Sequence, residues 1–271
     1  MRLSVGAFAA ACAISVSGTP LIAMTPVQPT GPWRVNYDFA QCVAHREYGT
    51  SDKPVELVLK PSPRGTVMRI LVFRKGGSAE LEQLPATLSL GDHREYSNLL
   101  HYRDEKSGFG IAAMNVPMQL MKANLNAPYI RIESSGPDAS FALSQLPGVL
   151  AELDKCVADL QEFWNIGAAY KSRIATPAAP KRPLHDLFTP NDYPTVAIHN
   201  HEDGVVGLTF LVDEHGAVSD CTVDETSGIP VLDTMSCYVI SDRARFTPAL
   251  GADGKPIRSA YSQRIVWRIA S

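Results

Sequence analysis

The stretch from Ile174 to Pro194 divides this chain. It holds Pro177, Pro180, Pro183, Pro190 and Pro194 and shows neither helical nor strand periodicity. Proline fixes φ and removes a backbone donor, so the run is expected to form an extended linker with a polyproline bias. At ~3.1 Å per residue, about 20 such residues reach up to about 60 Å. Two bodies are therefore expected, each with its own core.

The linker also sorts the cysteines. Of the five, Cys12 lies near the start, Cys42 and Cys156 precede the linker, and Cys221 and Cys237 follow it; no CxxC spacing suggests zinc or a redox motif. Residues Met1 to Ala23 carry one positive charge at Arg2, an apolar stretch from Leu3 to about Val16, and then Ser17-Gly18-Thr19-Pro20-Leu21-Ile22-Ala23. That is the form of a secretory signal peptide over 1–23, cut after Gly18 or Ala23. The alternatives are an uncleaved inner-membrane anchor and a lipoprotein acylated at Cys12. Cleavage removes Cys12 and leaves four cysteines in an oxidising compartment, the arithmetic of two disulfides. Divided by the linker, they pair as Cys42 with Cys156 and Cys221 with Cys237.

Charge excludes one class of partner. The balance is 25 basic against 28 acidic residues, or -3, too little positive charge to hold a phosphate backbone, so no nucleic acid is expected. Hydrophobic residues make up 45% and charged residues 20%, which fits an ordinary globular protein.

The first domain, placed at 31–165, opens with Trp33-Arg34-Val35-Asn36-Tyr37. Short β-forming runs follow at Val55 to Leu59, Val67 to Phe73, Ala86 to Leu90, Phe109 to Met114 and Tyr129 to Ile132, separated by glycine and proline turns. They predict a mostly antiparallel sheet. A short helix is expected around Pro117 to Asn124. A longer one is expected where Leu146, Val149, Leu150, Leu153, Val157, Leu160 and Trp164 recur at helical spacing, capped by Ser144 with Pro147 in the first turn. That helix should lie on the sheet and carry Cys156 to Cys42.

After a linker placed at 166–187, the domain at 188–271 reads strand, strand, helix, strand. Val206, Leu208, Phe210 and Val212 alternate, Asp213-Glu214-His215-Gly216 turns, and Ala217 to Val223 returns. Pro230 opens a helix striped by Leu232, Met235, Val239 and Ile240; the last strand runs from Arg258 to Ile269, with Tyr261, Ile265 and Trp267 on one face. The fold class is α+β: a β-rich N-terminal domain with a packed C-terminal helix, then a small β-β-α-β domain.

The second domain resembles the TonB C-terminal domain, in its disulfide-bearing variant. The resemblance is carried by Tyr193-Pro194, Gly204-Val205-Val206-Gly207-Leu208-Thr209-Phe210-Leu211-Val212-Asp213-Glu214-His215-Gly216 and Val218-Ser219-Asp220-Cys221. It continues through Thr226-Ser227-Gly228-Ile229-Pro230, Arg245-Phe246-Thr247-Pro248-Ala249, Asp253-Gly254-Lys255-Pro256 and Val266-Trp267-Arg268-Ile269. It implies a small antiparallel sheet with a helix on one face, and a TonB-dependent outer-membrane receptor as partner, whose extended segment is added as a strand. The receiving edge is then Ser259, Ala260, Tyr261, Ser262, Gln263, Arg264, Ile265, Val266 and Trp267, with Tyr193 and Pro194 near the contact. The alternative for the last two is that they pack the linker onto the domain, with Trp267 in the core. A periplasmic location follows, with membrane contact only if the leader is retained, and a link to transmembrane transport. The extra domain and short linker depart from a full energy transducer, and a periplasmic structural or adaptor protein that reuses the fold is the second reading.

No enzyme, cofactor or metal is expected. His199 and His201, in Ile198-His199-Asn200-His201-Glu202-Asp203, read as solvated loop histidines. His93 with Glu95, and His101 with Asp104 and Glu105, read as a charged surface segment without a nucleophile motif.

Overall fold

The computed structural model describes residues 24–78 and 80–269; the expected leader and Cys12 lie outside them. Nine antiparallel strands form the first sheet: β1 (Arg34–Tyr37), β2 (Cys42–Gly49), β3 (Pro54–Pro61), β4 (Val67–Lys75), β5 (Glu82–Leu90), β6 (His93–Arg103), β7 (Phe109–Pro117), β8 (Tyr129–Ser134) and β9 (Ala139–Ala142). Their order is β1-β2-β3-β4-β7-β6-β5-β8-β9, with helix α1 (Met118–Ala123) between β7 and β8. The sheet curls as a half-barrel around α2 (Leu146–Phe163), whose Leu146, Val149, Leu150, Leu153, Val157 and Leu160 are buried in the core expected for them. Residues before β1 join the sheet's two ends: the Val27 amide donates to Ser140 O at 2.8 Å on β9, and the Thr30 amide to Glu47 O at 2.9 Å on β2.

Cys42, at the start of β2, is bonded to Cys156 on α2. Closing a loop of 114 residues stabilises the fold by at most about 5 kcal/mol on the chain-entropy estimate. The expected cap of α2 is different. Gln145 occupies the N-cap position with φ of 65°, and no side chain caps the helix. Ser144 is instead held by Arg46, whose Nη1 donates to its hydroxyl at 2.8 Å and its carbonyl at 3.1 Å.

The segment between the domains corrects the extended-linker expectation. β10 (Ile174–Thr176) and β11 (Ala179–Pro180) are laid against the second domain's β15 (Ala249–Gly251) and β14 (Phe246–Thr247), and the Lys181 amide donates to Arg245 O at 2.8 Å. Ala178, Leu184 and Leu187 are buried in that domain's core. Three apolar side chains scattered among prolines show no period, yet their burial outweighs the polyproline bias, and strands of two or three residues tolerate proline at a sheet edge.

The second domain continues with α3 (Thr195–His199), β12 (Gly204–Val212), β13 (Val218–Glu225), α4 (Pro230–Arg243), β14, β15, β16 (Pro256–Ile257) and β17 (Ser259–Trp267). Its main sheet has the order β13-β12-β17. At the β12–β13 turn, Gly216 has φ of 79°, and a Cβ there would lie 1.9 Å from Phe246 O, so only glycine fits. Cys221 on β13 is bonded to Cys237 on α4, as the two-and-two division requires.

β12 departs from simple alternation: every residue from Val206 to Val212 is buried. Val206, Leu208, Phe210 and Val212 face the core beneath α4, while Leu211 joins the first domain's core. The two domains thus share a face. Leu100, Ile111 and Ala113 on the first sheet pack into the second domain's core. Polar contacts frame this junction: Asn98 donates to Gly228 O at 2.7 Å, Asn115 to Asp233 at 3.2 Å, and Asn165 to Arg258 O at 2.9 Å.

The His101 segment is also corrected. His101 does not lie at the surface: it belongs to β6 and is 9% exposed, with Nδ1 3.1 Å from Glu82 Oε2 on β5. The charged outer half of β6, from His93 to Tyr96, hid a strand whose inner half is buried.

Candidate functional site: an open sheet edge

β17 pairs with β12 without a break over nine positions, from Ser259↔Val212 to Trp267↔Gly204. By contrast, the β12–β13 pairing shifts register twice. Among the described residues β17 has no second strand neighbour. A strand that is unbulged and free of proline, with no strand along its second edge, is a template for another strand.

Side chains on one face hold β17 in place. Ile265 and Trp267 are buried, and Trp267 Nε1 donates to Ser236 Oγ on α4 at 2.8 Å. Tyr261 stacks on Phe210 and packs on Phe246, with ring centroids 5.5 and 4.9 Å apart. Phe188 and Tyr193 meet Trp267 edge-on at 5.5 and 5.2 Å. Tyr193 thus lies at the strand's C-terminal end. Its hydroxyl donates to Glu202 O at 2.7 Å and Asp203 Oδ1 at 3.1 Å, and burial, aided by the bond to Asp203, pushes its pKa up to about 12. Asp203 Oδ1 also accepts from the Ile269 amide at 2.8 Å, so the entrance segment and the strand's exit are clamped together. Pro194 is the N-cap residue of α3.

The other face is covered for only half its length. Ala260 packs on the first domain's core. Ser262 Oγ accepts from Arg64 Nη2 at 2.6 Å, and Arg64 Nε donates to Thr209 Oγ1 at 2.9 Å. Beyond that point the face opens. Arg264 reaches over the strand pair to Glu225 at 2.8 Å, a crossing that depends on Gly207, where a Cβ would lie 2.8 Å from that of Glu225. Val266, 57% exposed, is paired across the sheet with the exposed Val205. On the opposite, core-facing side Gln263 turns its amide to Arg264 O at 2.8 Å.

The expected site residues from Ser259 to Trp267 therefore form one continuous strand, and Tyr193 joins its end. Arg64, Asp203 and Ser236, which fix that strand, carry no signal in the sequence: Arg64 precedes Ser262 by 198 residues. The histidines do not assemble into a centre. His199 ends α3, His201 sits at φ of 55°, and His93 lies 3.7 Å from Glu95. Among the described residues no group of three or more His, Cys, Asp or Glu is placed to hold a metal ion.

This small sheet, backed by one helix and open along its last strand, leaves an edge of the kind on which a further strand can pair. Residues 189–269 match the family described as Gram-negative bacterial TonB protein C-terminal. The second domain is thus similar to the TonB C-terminal domain, a family of protein-interaction domains. No curated protein matches the chain.

Proposed function

We propose that this periplasmic protein binds an extended segment of an outer-membrane receptor by adding it as a fourth strand beside β17. The observation that carries the reading is the unbroken edge from Ser259 to Trp267, anchored from behind and unpaired in front. Backbone pairing supplies affinity with little demand on side-chain identity, and exposed Val266 offers an apolar contact to alternate residues of the incoming segment.

The manner of action is that of a local adaptor. The docking of β10 and β11 onto the second domain supports this over force transmission through a long spacer. The experiment is a titration of the disulfide-intact protein with a receptor TonB-box peptide, followed at the amides of 259–267. Binding shifts those amides and is lost when proline replaces whichever of Gln263 or Arg264 directs its N–H outward. A saturating titration that leaves the strand's amides unmoved overturns the proposal.

A further inference from the structure

A second surface, on the opposite domain, has the chemistry of a cation receptor. The turn between β1 and β2 and the flank of α2 enclose a groove of about 300 Å³ lined by Tyr37, Asp38, Phe39, Cys156, Asp159, Leu160 and Phe163. Three of its seven lining residues are aromatic. Phe39 is 73% exposed and Tyr37 52%, an unusual outlay of ring surface for a loop. The loop is nonetheless fixed: Trp164 Nε1 donates to Phe39 O, Asp38 Oδ1 accepts from the Phe39 amide at 2.6 Å, and the Tyr37 hydroxyl donates to Glu152 at 3.1 Å. The rings are held in solvent rather than left there by slack chain.

The Phe163 ring already engages a guanidinium, since Arg258 Cζ lies 3.9 Å from its centroid. Phe39 packs on the same ring at 5.1 Å. The stack therefore runs Arg258, Phe163, Phe39, with the Phe39 ring left mostly open. Charge at the groove is one-sided. Arg258 is bound to Glu214, Lys155 to Glu152 and Arg173 to Glu162, whereas neither Asp38 nor Asp159 has a basic partner within ion-pair distance among the described residues. Exposed aromatic faces beside two carboxylates that have no cationic partner favour a cation that also carries apolar surface.

We propose that this groove receives an arginine side chain of a partner protein, seated on Phe39 and paired with Asp38 and Asp159. A guanidinium fits better than a lysine ammonium because it is planar, stacks on a ring, and presents several donors to two carboxylates at once. The site is independent of the open edge of β17, and its test separates the two.

The test is an amide-shift titration of the whole exported chain, disulfides intact, with the peptide acetyl-Leu-Arg-Leu-Arg-amide and with its citrulline counterpart, which keeps shape and loses charge. The expected result is shifts at 37–41 and 156–163, with the citrulline peptide about fivefold weaker or more, as for one lost cation–π or charged contact. Asp159→Asn, on the exposed side of α2, and Phe39→Ala each weaken binding by a similar factor while the near-ultraviolet spectrum stays native. Equal affinity for the citrulline peptide, shifts confined to 259–267, or no shifts at millimolar peptide overturns the proposal.

Discussion

The indole Nε1 of Trp267 donates to Ser236 Oγ at 2.8 Å inside the buried core, and the same hydroxyl donates to Leu232 O at 2.8 Å. This chain of two bonds ties the open strand to the helix behind it. Ser236→Ala removes the acceptor and leaves a buried indole N–H unpaired, at a cost of about 1–2 kcal/mol. Trp267→Phe in the Ser236→Ala background costs less than the sum of the single changes, because the donor is then gone as well. Urea unfolding of the three variants measures the coupling.

The domain junction contains a second polar pair, with a less favourable balance. One extra residue in β13 opposite Thr209 to Leu211 makes a bulge, and Asp220, at φ of 41°, uses it to reach Lys60 of the first domain at 3.0 Å. Burial raises the pKa of Asp220, against the lowering effect of Lys60, and its Oδ2 has no partner. Removing the cation strands a buried carboxylate. Lys60→Met is expected to destabilise by about 3 kcal/mol, and the double variant Lys60→Met/Asp220→Asn to recover much of that loss. Thermal melts at neutral pH decide it.

A third pair sets an acid limit. Arg243 on α4 holds Asp192 through two bonds, at 2.7 and 2.8 Å, and donates to Leu187 O at 2.8 Å, so it pins the docked linker. The bonds from Arg243, then those from Thr189, hold the Asp192 carboxyl at about 2, below its ordinary 3.8. A depressed carboxyl contributes stability that is complete above the unfolded-state value and lost as pH falls through the folded one. Stability should therefore decline between about pH 4 and 2 in the native protein. Asp192→Asn should be less stable at pH 7 and show a shallower slope in that window, read from denaturant midpoints at a series of pH values.

These contacts mark the boundary of what the sequence discloses. Local patterns resolve well: the alternation from Val206 to Val212, the stripe of α2 and the Gly216 turn each depend on neighbours in the chain, and each is where the pattern puts it. The edge strand is legible for the same reason. What pattern reading misses is set by contacts between distant segments. β12 is buried on its second face because another domain covers it, and nothing within Gly204–Val212 encodes that cover. The linker fails similarly, since Leu184 and Leu187 gain their burial by packing on α4 in the second domain's core, far along the chain. His101 reads as exposed because β6 is half exposed, and only its pairing with β5 and β7 brings the buried half inside.

The two disulfides differ in access, and that difference fixes the order in which they open. Cys42 is fully buried and Cys156, although it lines the groove beside Phe39, is 2% exposed, so an attacking thiolate has little surface of either sulfur to reach without opening of the first domain. Cys221 and Cys237 are partly exposed and line a cavity of about 80 Å³ between β13, α4 and the first domain. Thiol–disulfide exchange needs a thiolate to reach one sulfur, so access controls the rate when attacker and conditions are the same. Under limiting reductant in native buffer, the first species to take up two alkylating groups should carry them on Cys221 and Cys237, identified by peptide mass mapping. That species should remain folded but lose about 3 kcal/mol, the chain-entropy value for a short closed loop. Labelling of Cys42 and Cys156 first, or of all four together, refutes the assignment of the second-domain bond as the more accessible.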